Sequence, residues 1–300
     1  MTAHDSIGPK FHVENLSFGY DGRIVQHDVS FDVGGKSIFA IMGGSGCGKS
    51  TLMKTMIGLL RPTAGAIYVG DENYWAASEA RRTEIGRRFG VVFQSGALWS
   101  SMTAEENVAL PLRMFTRLSD RAIKALAQLK LSLVGLDRAA SVMPAELSGG
   151  MRRRVGIARA LSLEPDVLFL DEPSAGLDPV ASKRLDDLIL QLRDGFGVTV
   201  IMVSHELPSL LAICDDGIFL DAETKTAIAK GSPRALLETC DLPAVHAFMH
   251  RERPAAEHGH APVAEHGPAP VAGYGPAPVA GDGHATAAGY SHATDNHADG

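Results

Sequence analysis

No apolar run in this chain approaches the roughly 18 residues that a membrane-spanning helix needs. If the protein serves a membrane, the expectation is that it does so from the cytoplasmic face, through a partner. Cysteine is scarce: Cys47, Cys214 and Cys240 are odd in number and far apart. That spacing argues against a disulfide framework and fits a reduced, cytoplasmic chain. The N-terminus lacks the charged-then-apolar pattern of a secretory leader. Positive charge is also in short supply, and a net charge of −7 argues against nucleic acid as a partner. The deficit is local. From Pro254 onward there are five acids (Glu257, Glu265, Asp282, Asp295 and Asp299) and no lysine or arginine. The rest of the chain is close to neutral. Its 300 residues, 45% of them apolar, suffice for one large domain or two modest ones.

The most informative stretch is Gly43-Gly44-Ser45-Gly46-Cys47-Gly48-Lys49-Ser50-Thr51, which fits G-x-x-x-x-G-K-[ST], the phosphate-binding loop. Residues 37–42 before it read as a buried strand, and Leu52, Met53, Met56 and Ile57 after it suit the core face of a helix. The glycines let the backbone bend around a polyanion with N–H groups pointing inward, and the helix turns its positive end to the same anion. Lys49 reaches the β- and γ-phosphates, and the Ser50 hydroxyl ligates Mg²⁺. A bulky group added to Cys47 would collide with nucleotide, so a thiol reagent is expected to inhibit.

Around this loop the chain alternates strands and helices. Residues 11–33 favour strands, with Asp21-Gly22 as a turn; Val25, Val29, Phe31 and Val33 fall on one face, Gln26, Asp28, Ser30 and Asp32 on the other. Tyr20, just before the turn, is either a stacking aromatic or a strand-end residue. Residues 76–89 are helix-compatible, and Val91–Phe93 reads as a strand ending at Gln94. From 100 to 147 the pattern changes to helical patches broken by Pro111, Gly135 and Pro144, with Ser119 as an N-cap. This marks an inserted α-helical subdomain over about 95–160. A helix opens at Leu147–Met151, with Arg152, Arg153 and Arg154 at the wrong end for its dipole. Either they are solvated or paired with acids, or an anionic group lies close by. Strands over 167–170 and 198–203 flank an amphipathic helix at 183–193, for which Gly195 suits the stop.

Such alternation implies an α/β fold with a parallel sheet covered on both faces, and ligands bind at the carboxyl ends of its strands. Lys49, Gln94, Asp171, Glu172 and His205 all follow strand ends. Asp171 suits the metal beside Ser50, Glu172 is left to polarise a water against the γ-phosphate, Gln94 bridges ion and water, and His205 contacts phosphate and water. From Pro254 the chain becomes repeats of the type Gly-Pro-Ala-Pro-Val-Ala with six histidines. Such a composition reads as disordered spacer, with weak transition-metal binding as the lesser alternative.

The phosphate loop, Leu147-Ser148-Gly149-Gly150, the acidic strand end at Asp171-Glu172, the run Ser174–Asp178 and Ser204-His205 occur in one order. Over about 11–240 that order closely resembles the ATP-binding subunits of ABC transporters. Met151 departs from the glutamine more usual there, which puts little in doubt. The resemblance implies a P-loop (RecA-like) parallel sheet with an N-terminal antiparallel β subdomain, ATP and Mg²⁺ as cofactors, and Tyr20 stacked on adenine. It makes Gln94 the Q-loop, Asp178 the D-loop, His205 the switch histidine, and Ser148, Gly149 and Gly150 the signature that closes on the ATP of a second copy. The active unit is then a head-to-tail homodimer, peripheral on the cytoplasmic face of the inner membrane and bound to a permease. Residues 93–103 and 107–112, with Leu147–Met151 and Asp178-Pro179-Val180, further resemble the ATPases of Mla-type lipid transporters, which work with MCE-domain proteins. There Ala97, Leu98, Trp99 and Met102 would offer the permease an apolar patch. An ATPase of a polar amino-acid or ion importer is the nearest alternative. DNA-handling members insert long coiled coils, whereas only about 100 residues separate Lys49 from Ser148 here. Residues 1–10 are expected to be a flexible arm, and 241–253, with Leu242, Val245, Phe248 and Met249, to dock on the second protomer.

Overall fold

A computed structural model describes residues 11–250 of the chain. The N-terminal arm at 1–10 and the repeats from Pro254 lie outside the described residues. Strands β1 (Phe11–Tyr20) and β2 (Arg23–Val33) form a hairpin. Asp21 and Gly22 close it with φ of 50° and 78°, the left-handed pair that a two-residue hairpin turn demands. After β3 (Ile38–Gly43) and α1 (Lys49–Met56), β4 (Ala64–Val69) and the short β5 (Glu72–Asn73) complete an antiparallel sheet of order β2-β1-β4-β5. Then come α2 (Glu79–Gly86), β6 (Phe89–Val92), α3 (Ala104–Phe115), α4 (Asp120–Leu133) and α5 (Gly149–Ala160). The chain continues with β7 (Val167–Asp171), α6 (Pro179–Phe196), β8 (Thr199–Val203), α7 (Leu207–Ile213), β9 (Asp216–Leu220), β10 (Ala227–Lys230), α8 (Pro233–Thr239) and α9 (Pro243–Met249).

The second sheet has the order β10-β9-β3-β8-β7-β6. Its strands are parallel from β9 to β6, and β10 pairs antiparallel at the edge. Its central strands β3, β7 and β8 are buried on both faces, which is why they read as unbroken apolar runs. Along β3 the side chains alternate between two cores. Ile38, Ala40 and Met42 join the core shared with the helices from α3 onward, while Phe39 and Ile41 face α1 and the antiparallel sheet. Each fully buried Leu, Ile or Phe contributes about 1.5–3 kcal/mol, so the parallel sheet is the stable platform from which the loops project.

Several expectations change. Pro111 does not break α3: it sits within the helix, which persists because Ala104, Val108, Ala109 and Leu112 are buried along one face and a capping box (Thr103 with Glu106) fixes its start. Helix α6 runs through Gly195 and stops at Gly197, which takes the left-handed φ of 67°. The even alternation assumed for β2 fails at Asp28, whose φ is 51°. Val29 pairs with Leu16 and Gln26 with Phe18, with a shift of register between them, so a bulge turns Gln26 inward to full burial. Finally, Val245 and Met249 of α9 are buried in this chain's own core, and Phe248 packs edge-on against Phe219 at 5.2 Å. Of the four apolar residues expected to dock on a second protomer, only Leu242 is exposed.

Candidate active site

Because β3, β6, β7 and β8 are parallel, their carboxyl ends meet along one edge. A groove of about 1090 Å³ opens there, lined by Gly43–Gly46, Gly48–Thr51, Gln94, Glu172 and His205. The loop glycines are needed sterically as well as conformationally. Gly43 has φ of 143°, and a Cβ on it would meet the Leu220 carbonyl and lie 2.6 Å from Cys47 Sγ. Lys49 is buried at the head of α1, its Nζ donating to the Gly43 and Gly44 carbonyls at 2.9 and 2.8 Å. These are weak competitors for a cation against phosphate oxygens, so the lysine is held in place until an anion arrives.

The Ser50 hydroxyl donates to Asp171 Oδ1 at 3.1 Å, joining the start of α1 to the end of β7. Burial pushes the Asp171 carboxyl above its usual range, with the Ser50 hydrogen bond and the charges of Lys54 and Lys49 acting the other way. A buried carboxylate beside a hydroxyl is a fitting oxygen donor set for Mg²⁺. Among the described residues no three His, Cys, Asp or Glu side chains cluster as metal ligands, so an ion here would draw its remaining ligands from phosphate and water. Gln94 opens a short 3₁₀ turn (Gln94–Gly96) right after β6 and is exposed to the same groove.

Glu172 is held in a left-handed conformation, φ 49°, with its N–H donating to the Val203 carbonyl at 2.9 Å. Non-glycine residues keep such backbones where the surroundings over-determine them, often at functional sites. Its Oε1 lies 2.8 Å from His205 Nδ1 and is oriented by the histidine, while Oε2 is a buried acceptor with no hydrogen-bond partner among the described residues.

Tyr20 stands at the end of β1, 44% exposed, and lines an adjoining pocket of about 540 Å³ with Arg23, Ile24, Gly46 and Lys225. The Cys47 side chain, by contrast, points inward at 1% exposure, and burial raises its thiol pKa against the pull of Lys49. The thiol on which the expected inhibition depends thus lies packed beneath the loop and not on its nucleotide-facing surface. Ser148 and Gly149 are exposed and do not line the groove of their own chain; Ser148 caps α5, its Oγ accepting from the Met151 N–H. Asp178 caps α6, its Oδ1 accepting from the N–H groups of Val180 and Ala181.

The three arginines in the first turns of α5 are half-buried, and among the described residues they make no ion pair; they bind backbone carbonyls instead. Arg152 donates to the Pro144 and Leu147 carbonyls, Arg153 to Ala175, and Arg154 to Val134. Arg159 donates to Ala97 and Gly96 at 2.9 and 3.0 Å, so α5 grips the segment that follows Gln94. Sequence reading missed these carbonyl-bound arginines. It also missed Asn107, fully buried, whose side chain ties together the backbone of Trp99, Met102 and Thr103. Within that loop Leu98 packs on the core, while Trp99 is 59% exposed.

The family described as "ABC transporter" matches residues 26–175, from β2 to the acidic end of β7 and the turn beyond it. This chain belongs to that family. It is similar to the intermembrane phospholipid transport system ATP-binding protein MlaF of Escherichia coli K12, 40% identical over 244 residues, covering 81% of this chain and 90% of that one. It is also similar, at 35% identity over 247 residues (82% and 68%), to a Mycobacterium tuberculosis protein named probable ribonucleotide transport ATP-binding protein mkl. Among solved structures, a dimeric post-hydrolysis state of the ATP-binding cassette MJ0796 bound to ADP and Pi matches with a TM-score of 0.67 and 29% identity. That match covers 73% of this chain and 97% of the other. As a member of the ABC family the chain is an ATPase with a P-loop fold, and its phosphate loop, Gln94, Glu172 and His205 line the groove at the strand ends.

Proposed function

We propose that this ATPase powers the movement of phospholipid-like cargo through a membrane permease that works with an MCE-domain protein. The observation that carries the cargo assignment is the similarity to MlaF across four fifths of the chain, including the loop that presents Trp99. Among the described residues no helix is long and apolar enough to cross a membrane. On this reading the chain is a peripheral subunit, held to the cytoplasmic face of the inner membrane by the permease.

In the proposed cycle ATP lies along the groove with its base on Tyr20. Lys49 exchanges the Gly43 and Gly44 carbonyls for phosphate oxygens, and the loop N–H groups supply the rest of the cradle. Ser50 and Asp171 would hold Mg²⁺, with Gln94 alongside; the ion would neutralise charge on the phosphate oxygens. Glu172, oriented by His205, takes a proton from the attacking water. Ser148, Gly149 and Gly150 stand away from their own groove, as they should if they close the site of a second copy. ATP thereby joins two protomers head to tail, and hydrolysis releases them. Gln94 transmits the state of the site to the Trp99 loop through the backbone that Arg159 holds.

Purification from membranes of a Glu172→Gln variant, which traps the ATP-bound state, tests the reading. The expected companions are a permease, an MCE-domain protein and bound phospholipid. A soluble amino-acid-binding protein with its permease, or ribonucleotide as the cargo, would overturn the lipid assignment and leave the ATPase intact.

A further inference from the structure

Gln26 is fully buried on β2 among apolar neighbours. Both protons of its amide are spent: Nε2 donates to the Cys47 carbonyl at 2.6 Å and to the Asp221 carbonyl at 2.8 Å. Its Oε1 is buried with no hydrogen-bond partner among the described residues. A buried acceptor left unpaired is costly, and a leucine of similar volume would avoid that cost. The amide therefore has to return something elsewhere.

What it joins is informative. Cys47 lies in the phosphate loop. Asp221 begins the turn after β9, which is closed by its N–H on the Thr226 carbonyl and tied to β2 by the His27 N–H on the Lys225 carbonyl at 2.8 Å. That turn lines both the phosphate groove, through Ala222, and the pocket beside Tyr20, through Ala222 and Lys225. One side chain thus fixes the phosphate loop against the opposite wall of the site.

The peptide between Cys47 and Gly48 is trans and planar, so its C=O and N–H point in opposite directions. With the carbonyl held inward by Gln26, the Gly48 N–H faces outward, and Gly48 lines the groove. Gly48 takes φ of 100°, and a Cβ there would lie 2.7 Å from Val25 Cγ1 and 3.3 Å from Gln26 Cγ. The β2 side chains press the loop from beneath while the amide sets its rotation. We propose that Gln26 is a positioning residue for phosphate binding, holding the Cys47–Gly48 peptide with its N–H turned toward the phosphates. The inference rests on reading the groove as the nucleotide site.

The test compares wild type with Gln26→Leu, which keeps the volume and removes both donors. Binding of ATP and of GTP is measured at a temperature where circular dichroism shows both proteins folded. Wild type should bind ATP. The variant should bind it about 10-fold more weakly, the value of one misdirected charge-assisted hydrogen bond. The loss should be equal for GTP, because it acts on phosphate and not on the base, and in hydrolysis it should fall on KM more than on kcat. If Gln26→Leu does not fold, Gln26→Met carries the same measurement. Unchanged ATP affinity with only a lower melting temperature would overturn the proposal and leave Gln26 a purely structural residue. A loss confined to ATP would overturn it too, since the base side would then be responsible. A wild type that binds no ATP would instead sink the reading of the groove, and this inference with it.

Discussion

Burial decides the chemistry of Cys47. The residue sits inside the phosphate loop, yet its thiol is packed beneath the loop and desolvation holds it protonated. Cys214 is buried as well, and only Cys240 is partly exposed. We expect a thiol reagent under native conditions to modify Cys240 and spare the other two, with hydrolysis continuing. Peptide mapping of the labelled, active protein checks this; a label on Cys47 would mean that the loop opens far more than its packing allows. The convergence of Lys49, Gln94, Asp171, Glu172 and His205 was legible in the sequence because each follows a strand end in a parallel sheet, where spacing alone places side chains along one edge. Gln26 was not legible, because a single left-handed residue, Asp28, reverses the alternation on which strand faces are read. Nor were the arginines of α5: their partners are backbone carbonyls, and every residue has one of those.

At the scale of elements, α6 shows how local signals carry through to the site. Asp178 gives its carboxylate to two N–H groups at the start of the helix, so the residue expected to mark the D-loop is also the N-cap. Asp178→Ala should cost about 1 kcal/mol in a denaturant titration, and Asp178→Ser should retain most of that. Two turns on, Asp186 is buried against α7, accepting from the Ser209 hydroxyl at 2.9 Å, with Ser182 3.3 Å from Ser209. Burial raises the Asp186 pKa, Ser209 opposing it, so the folded chain binds that proton more tightly than the unfolded chain. Stability from this group is complete below the unfolded value near 3.8 and is lost as pH rises through the raised folded value. Asp186→Asn, which keeps the acceptor, should therefore melt higher than wild type at pH 7, and the gap should narrow as pH falls. Melts across the acidic range check the sign; a gap that widens on acidification would contradict it. The end of α6 at Gly197 instead of Gly195 was not readable, since either glycine can take the left-handed stop and tertiary packing chooses between them.

For the molecule as a whole, the parallel sheet shared by two cores fixes the groove, and the C-terminal helices belong to that framework. Removing residues 254–300 should leave melting temperature and hydrolysis unchanged. A cut after Asp241 also removes Val245 and Met249, each worth about 1.5–3 kcal/mol when buried, and uncovers Phe219. That shorter chain should be measurably less stable by calorimetry, and equal stability would refute the packing described for α9. In the proposed head-to-tail dimer each hydrolytic site combines Lys49 of one copy with Ser148 of another, since Ser148 does not line the groove of its own chain. The most direct measurement mixes two inactive variants, Lys49→Ala and Ser148→Arg, in the assembled complex and follows ATP hydrolysis. In a mixed head-to-tail dimer both lesions fall in one site and the other is intact, so activity should rise above that of either variant alone. A mixture no more active than its parents, with mixed dimers shown to form, would contradict the shared site.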